Sequence, residues 1–310
     1  MKPFLTLVKR EVADSRGSLI LTPVIISVLL ILLLILGMAS GSGQILSVEI
    51  GSDGSPVSVL SDLDPEARRE GATAAVFLMM VVSGLIPLVM AVTSIFTLLG
   101  SLYEERKDRS ILFWKSMPVS DLQVVLSKFA APAVAGFGFA LLCALAVHII
   151  MVAIILVTGA LLGAGGAGWG LPLASVLEAW AVSTLVTILY VLFVAPVYAW
   201  LLAASAVAPK SPFLIAFVPI AVLGLIEAAL NTPFRLSAHV FERLGGALIF
   251  SGDGVASRSL ESPEDISRLL GAETLASLSG AFLRAELWIG LLATVGLLLL
   301  ASEIRRRRLS

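Results

Sequence analysis

The chain alternates between long uninterrupted apolar runs and shorter polar stretches. Six runs lie near 19–39, 73–101, 129–158, 174–207, 213–231 and 284–303. Each approaches or exceeds the ~20 mostly apolar residues that a bilayer-crossing helix needs. Backbone polar groups in lipid must pair within their own segment, so each run predicts a helix. The third and fourth runs come from one uncharged stretch, Phe129 to Leu177, which is too long for a single crossing. Gly159 to Pro172, rich in glycine and ending in proline, breaks it and reads as a tight turn. The fourth run, ~50 Å at ~1.5 Å per residue, must tilt, project beyond the lipid, or bend at Pro196. Pro209 and Pro212 bound the fifth on one side and Asn231-Thr232-Pro233 on the other.

Ahead of the first run, Phe4, Leu5, Val8 and Val12 recur at helical spacing, with Lys2, Lys9, Arg10 and Asp14 elsewhere. Residues 2–16 therefore predict a helix lying in the membrane interface. The apolar run from Leu19 to Ser40 exceeds the roughly 7–15 residues of a secretory signal core and reads as a retained first span. Segment 41–72 is polar and acidic, with Asp53-Gly54 and Ser55-Pro56 as turn signals. Segment 232–283 is long for a loop and is expected to hold structure of its own. Ala238 to Phe250 and Pro263 to Leu283 look helical, and Ser262-Pro263-Glu264-Asp265 is a good helix start. The apolar stretch Leu275 to Leu283 is expected to dip back toward the membrane. The pattern thus predicts an all-α integral membrane protein: a single domain over 1–310 with six transmembrane helices and an N-terminal interfacial helix.

Composition agrees. Of 310 residues, 58% are apolar and 14% charged, and mean hydropathy is +1.01; soluble domains carry roughly 25% charged residues. The placement of charge orients the spans. With the N-terminus inside, 14 of the 21 Lys and Arg fall on inner segments. These are Lys2, Lys9, Arg10, Arg16, Arg106, Lys107, Arg109, Lys115, Lys128, Lys210 and Arg305 to Arg308. Short inner loops rich in Lys and Arg obey the positive-inside rule. An even number of crossings returns the Arg305–Arg308 tail to the same side, where it reads as a topology and lipid anchor rather than a nucleic-acid site.

Several chemistries find no support. Gly163 to Gly168 matches G-x-G-x-x-G, but it lies in a turn between membrane helices, without the strand and helix that a dinucleotide site requires. His148 could join Cys143 and Met151 in a soft-metal site. Positions 143 and 148 are ~140° apart on a helix, however, so His148 is expected to be a satisfied interior histidine. Nucleophilic catalysis would need a Ser or Cys with a His or Asp at matched depth, and His148 has no obvious intramembrane acidic partner. A P-loop needs G-x-x-x-x-G-K-[ST], and none of the six lysines follows a glycine. No catalytic residue, metal ligand or cofactor is assigned to this chain. Glu178, Glu227 and Glu286 lie toward the outer ends of the fourth, fifth and sixth runs. Carboxylates are expensive to bury in lipid and are candidate functional groups there, here for an outer gate; the bland alternative is a headgroup-level position paired with Arg284 or water.

Residues 103–128 are the informative loop. Charge at its start gives way to Ile111, Leu112, Phe113 and Trp114, then Met117-Pro118, with Ser120 or Asp121 placed to cap the next helix. Apolar residues on a short cytosolic loop are normally covered, as by a groove on another protein. The run Glu105-Arg106, Ser110-Ile111, Ser116-Met117-Pro118-Val119-Ser120 and Lys128 resembles the cytoplasmic loop of ABC-2 type permeases. It departs from the usual pattern at Asp108-Arg109, where a Gly is often found. Leu287-Trp288, Gly290-Leu291 and the basic tail are similar to a subgroup of the same family.

The resemblance implies an ABC-2 or type V exporter-like fold in a bacterial cytoplasmic (inner) membrane, with both termini cytoplasmic. It implies a homodimer with a second permease copy, bound to separate ABC ATPase subunits that carry ATP and Mg. Glu104, Glu105, Arg106, Ser110, Ile111, Phe113, Trp114, Met117 and Pro118 would form the coupling interface, within a coupling helix over 104–121. Scarce intramembrane charge favours a hydrophobic or amphipathic cargo such as a lipid, peptide or antibiotic. The alternative is a polytopic membrane enzyme, or a sensor that docks a cytosolic partner without transport.

Overall fold

A computed structural model describes residues 2–39, 65–109, 119–161, 173–231, 235–246 and 272–307. Among these the chain is helical throughout, and six helices are long and apolar enough to cross a membrane. Helix α1 (Lys2–Asp14) is followed closely by a widened π turn (Gly17–Leu21) that runs into α2 (Thr22–Ala39). Helix α3 covers Pro65–Lys107, and α4 (Asp121–Ala130) continues through a second π turn (Ala131–Gly136) into α5 (Phe137–Leu161). Then come α6 (Leu173–Val207), α7 (Pro212–Leu230), the short α8 (Leu236–Leu244) and α9 (Ala272–Gly280), a 3-10 turn (Ala281–Leu283), and α10 (Ala285–Arg307).

Helix α6 is the hub. In its most apolar stretch 56% is buried, against 11% for α7 and 17% for the first span. It packs against α3, α10 and α7, while α5 covers α3 and α2. The packing is close where small residues allow it. A Cβ at Gly136 would lie 2.4 Å from Met90 Cε, so the π turn and α3 touch only because that side chain is missing. Ala203, Ala204 and Ala206 of α6 are buried inside this one chain, where they let α6 lie against its own neighbours. The outward faces of α2, α7 and α10, with Leu33, Leu225 and Leu292 largely exposed, stay apolar, as lipid-facing surfaces must.

Several boundaries differ from the sequence reading, and α3 begins at Pro65 rather than near 73, inside the segment read as polar and turn-rich. The loop expected over 103–128 is shorter, because α3 continues as helix to Lys107 and the next helix begins at Asp121. At that second start, Ser120 accepts from the Gln123 amide and the Gln123 side chain reaches back to the Ser120 amide, a reciprocal cap that fixes where the helix begins. In the segment after α7, the expected helices over 238–250 and 263–283 are seen in part as α8 and as α9 with its 3-10 turn. Residues 247–271, including the helix start at Ser262 to Asp265, lie outside the described residues. Asn231 ends α7 in the left-handed conformation (φ 48°), which asparagine tolerates better than most residues.

Both short helices return against the spans. Leu278 and Ala281 pack with Val182, Leu189 and Phe193 of α6. Helix α8 does the same with a less apolar sequence: Val240 and Leu244 lie on the main core, and Tyr190 donates to the Leu244 carbonyl at 3.0 Å.

Candidate functional site

The residues flanking the 110–118 segment converge on a buried cluster of charge. Glu105, on the last turns of α3, meets Lys128 Nζ at 2.9 Å and Arg305 Nη2 at 3.4 Å. Lys128, on α4, also meets Glu11 of α1 at 3.0 Å. Arg305, near the end of α10, pairs in addition with Asp121, the first residue of α4. Glu11, Glu105, Lys128 and Arg305 are all buried. Three carboxylates thus face two cations across four helices. Burial pushes the Glu11 carboxyl above its ordinary value, with Lys128 opposing the shift. Arg305 Nε is sealed in without a hydrogen-bond partner, so the guanidinium is held by its two terminal nitrogens alone.

A second tie joins the same end of α3 to the hub helix. The Leu102 and Tyr103 amides both donate to Ser205 Oγ of α6, at 3.1 and 3.0 Å. Arg106 donates to the Ser205 carbonyl and, at 3.0 Å, to the Ala208 carbonyl. The cation thereby satisfies carbonyls that the end of α6 leaves free, where the helix dipole also favours positive charge. Arg109 follows in the left-handed region (φ 58°). That conformation suits glycine, the residue the resembling loops often carry there.

Of the sequence-proposed interface residues, Glu105 turns inward to the charge cluster, Arg106 reaches α6, and Glu104 stays on the surface. Ser110, Ile111, Phe113, Trp114, Met117 and Pro118 lie outside the described residues. Glu11 and Arg305 as partners of this loop were not foreseen. Glu11 does follow Leu7 and Val8 at i+4 and i+3, close to the helix's apolar stripe, which is the signal that could have flagged it.

The three proposed outer-gate acids have different surroundings. Glu227 accepts from the Leu236 and Ser237 amides at 2.9 and 3.2 Å and from Ser237 Oγ at 2.5 Å. It therefore caps the N-terminus of α8 from the neighbouring helix. The Glu286 carbonyl accepts from Arg243 at 3.0 Å while the residue itself is exposed. Glu178 is half-buried and makes no hydrogen bond or ion pair among the described residues. His148 is satisfied: its Nε2 lies 2.7 Å from Ser83 Oγ and 3.1 Å from the Met79 carbonyl, and its ring stacks on Trp180.

Arg243 of α8 went unnoticed in the sequence. It is buried at 8% exposure, and it donates to the Phe193 carbonyl of α6 at 2.8 Å as well as to that of Glu286. Its carbon Cζ lies 6.0 Å from the centre of the Phe193 ring. Room for it exists because residue 290 is glycine, where a Cβ would come 2.7 Å from Nη1. Scanned against family models, curated proteins and solved structures, the chain matches none.

Proposed function

We propose that this chain is the membrane-spanning permease subunit of an ATP-driven ABC exporter, and that the segment 104–121 receives the stroke of a separate ATPase subunit. One observation carries the reading: both flanks of that segment are anchored by buried polar contacts to the helices that build the bundle. A push on a freely hinged loop would be absorbed by the loop. Here the entering flank is fixed to α6 through Arg106 and Ser205, and to α4 and α10 through Glu105. The leaving flank is fixed to α10 through Asp121 and to α1 through Lys128 and Glu11. Displacement of the segment therefore moves spans, as conversion between inward and outward access requires.

In this reading ATP and Mg belong to the partner, the cluster faces the cytoplasm of a bacterial cell, and two copies of the chain enclose the path. The cargo is hydrophobic or amphipathic, in keeping with the apolar spans. The test is co-expression with ABC ATPase subunits, followed by affinity purification and measurement of ATP hydrolysis. Wild type should retain an ATPase, and Phe113→Asp and Met117→Asp should lose it while still reaching the membrane. Equal retention by both variants would refute the docking role. Hydrolytic activity of the purified chain alone would favour a membrane enzyme instead.

A further inference from the structure

The described protein meets the demands of Arg243 only in part. Its guanidinium reaches Phe193, about 18 Å along α6 from Ser205. It lies beside Gly290, about 22 Å along α10 from Arg305. Ser205 and Arg305 mark the charged end of the bundle, so Arg243 sits within the depth of a hydrocarbon layer ~30 Å thick. Among the described residues no carboxylate lies within ion-pair distance of it. Glu286 opposes its charge only from beyond ion-pair distance, and two backbone carbonyls orient the group while using two of the five N–H donors a guanidinium carries. Among the described residues Arg243 Nε makes no hydrogen bond, and it is not sealed in as Arg305 Nε is. Charged groups at this depth pair with something or mark a pathway.

We propose that Arg243 is the recognition point for an anionic group, a phosphate or carboxylate, on an amphipathic molecule whose apolar body lies along α6 and α10. An amphipath is favoured over a free anion because the surroundings of the guanidinium are apolar: Phe193 lies against it, and Leu287 and Leu278 pack with Phe193. Gly290 is then a specificity residue, since its missing side chain leaves the guanidinium its place. The inference deepens the permease reading, and rests on it for calling the molecule cargo. Binding is a property of this chain alone.

The experiment uses the full chain in phosphatidylcholine nanodiscs, irradiated with a diazirine-bearing alkyl phosphate or the matched alkyl alcohol, with labelled peptides mapped by mass spectrometry. The phosphate should label α6 and α10 around Phe193 and Gly290 at least tenfold more than the alcohol. Arg243→Lys should keep most of that preference, whereas Arg243→Gln and Gly290→Ala should lose it. Equal labelling by phosphate and alcohol in wild type overturns the proposal whatever the variants do. So does an undiminished preference in a folded Arg243→Gln. Full competition by millimolar inorganic phosphate would show a free-anion site and overturn the amphipath assignment. None of these outcomes bears on ATPase capture, so the two readings fail separately.

Discussion

At Lys128 a single ammonium holds two carboxylates, and the two are not equivalent. Glu105 also serves Arg305, whereas Glu11 meets Lys128 alone within the cluster and carries a carboxyl raised by burial. Removing one partner of a buried pair costs about 3–5 kcal/mol, because the remaining charge is left uncompensated. Glu105→Gln takes a carboxylate from both cations at once but leaves Lys128 with Glu11 and Arg305 with Asp121, so it should lower thermal stability in detergent by less than that figure and by more than Glu11→Gln does. Glu11→Gln should cost little at neutral pH, since Lys128 keeps Glu105. The pH dependence distinguishes them further. A carboxyl with a raised folded-state pKa favours the fold below its ordinary 4.5 and loses that contribution as pH rises through the higher folded value. Glu11→Gln should thus flatten the decline in stability above pH 4.5; a drop matching that of Glu105→Gln would show that Glu11 is a required anchor. Arg109 gives a prediction of opposite sign. A non-glycine residue in the left-handed region carries about 1–2 kcal/mol of strain, so Arg109→Gly should raise the unfolding midpoint measurably.

The six long helices were legible because lipid imposes one simple rule, a run of ~20 apolar residues. Their ends were less so. Glu105, Arg106 and Lys128 look like solvent-facing loop residues in a hydropathy trace, yet Glu105 and Lys128 are buried against charges far away in the chain. A one-dimensional pattern cannot show that Glu105 and Arg305 meet. The return of α8 was hidden for a related reason. Leu236, Val240 and Leu244 form a short apolar stripe, and Arg243 falls on its edge rather than opposite it, so the helix reads as a surface helix until its carbonyl partners are seen. The cap at Ser120, by contrast, was readable locally, since its geometry depends on neighbours three residues apart. Loss of such a cap costs ~1 kcal/mol. In Ser120→Ala, hydrogen exchange at the Gln123 and Val124 amides should accelerate about fivefold while amides deep in α5 stay protected. Unchanged exchange would show that the Asp121–Arg305 pair alone holds the start of α4.

For the whole molecule, the arrangement stands or falls on which ends share a side. The contacts of Glu11 and Glu105 with Lys128, and of Arg305 with Glu105 and Asp121, put one end each of α1, α3, α4 and α10 on a common face. Six crossings place Asn231, at the far end of α7, on the other. The excess of Lys and Arg near the shared face is the ground for proposing that it is cytoplasmic. Cys143 is the only cysteine, so a Cys143→Ala background allows single reporters at exposed positions: Lys9→Cys, Lys107→Cys and Arg307→Cys on one side, Asn231→Cys on the other. An impermeant maleimide applied to intact cells should label Asn231→Cys alone, and inside-out vesicles should reverse the pattern. Disagreement among the first three would mean that the ion cluster does not join these helices as described. Agreement among them with the orientation inverted would preserve the fold but put segment 104–121 outside the cell, beyond the reach of any cytosolic ATPase. The anchoring of that segment and its orientation are thus separate physical claims, and coupling to nucleotide hydrolysis needs both.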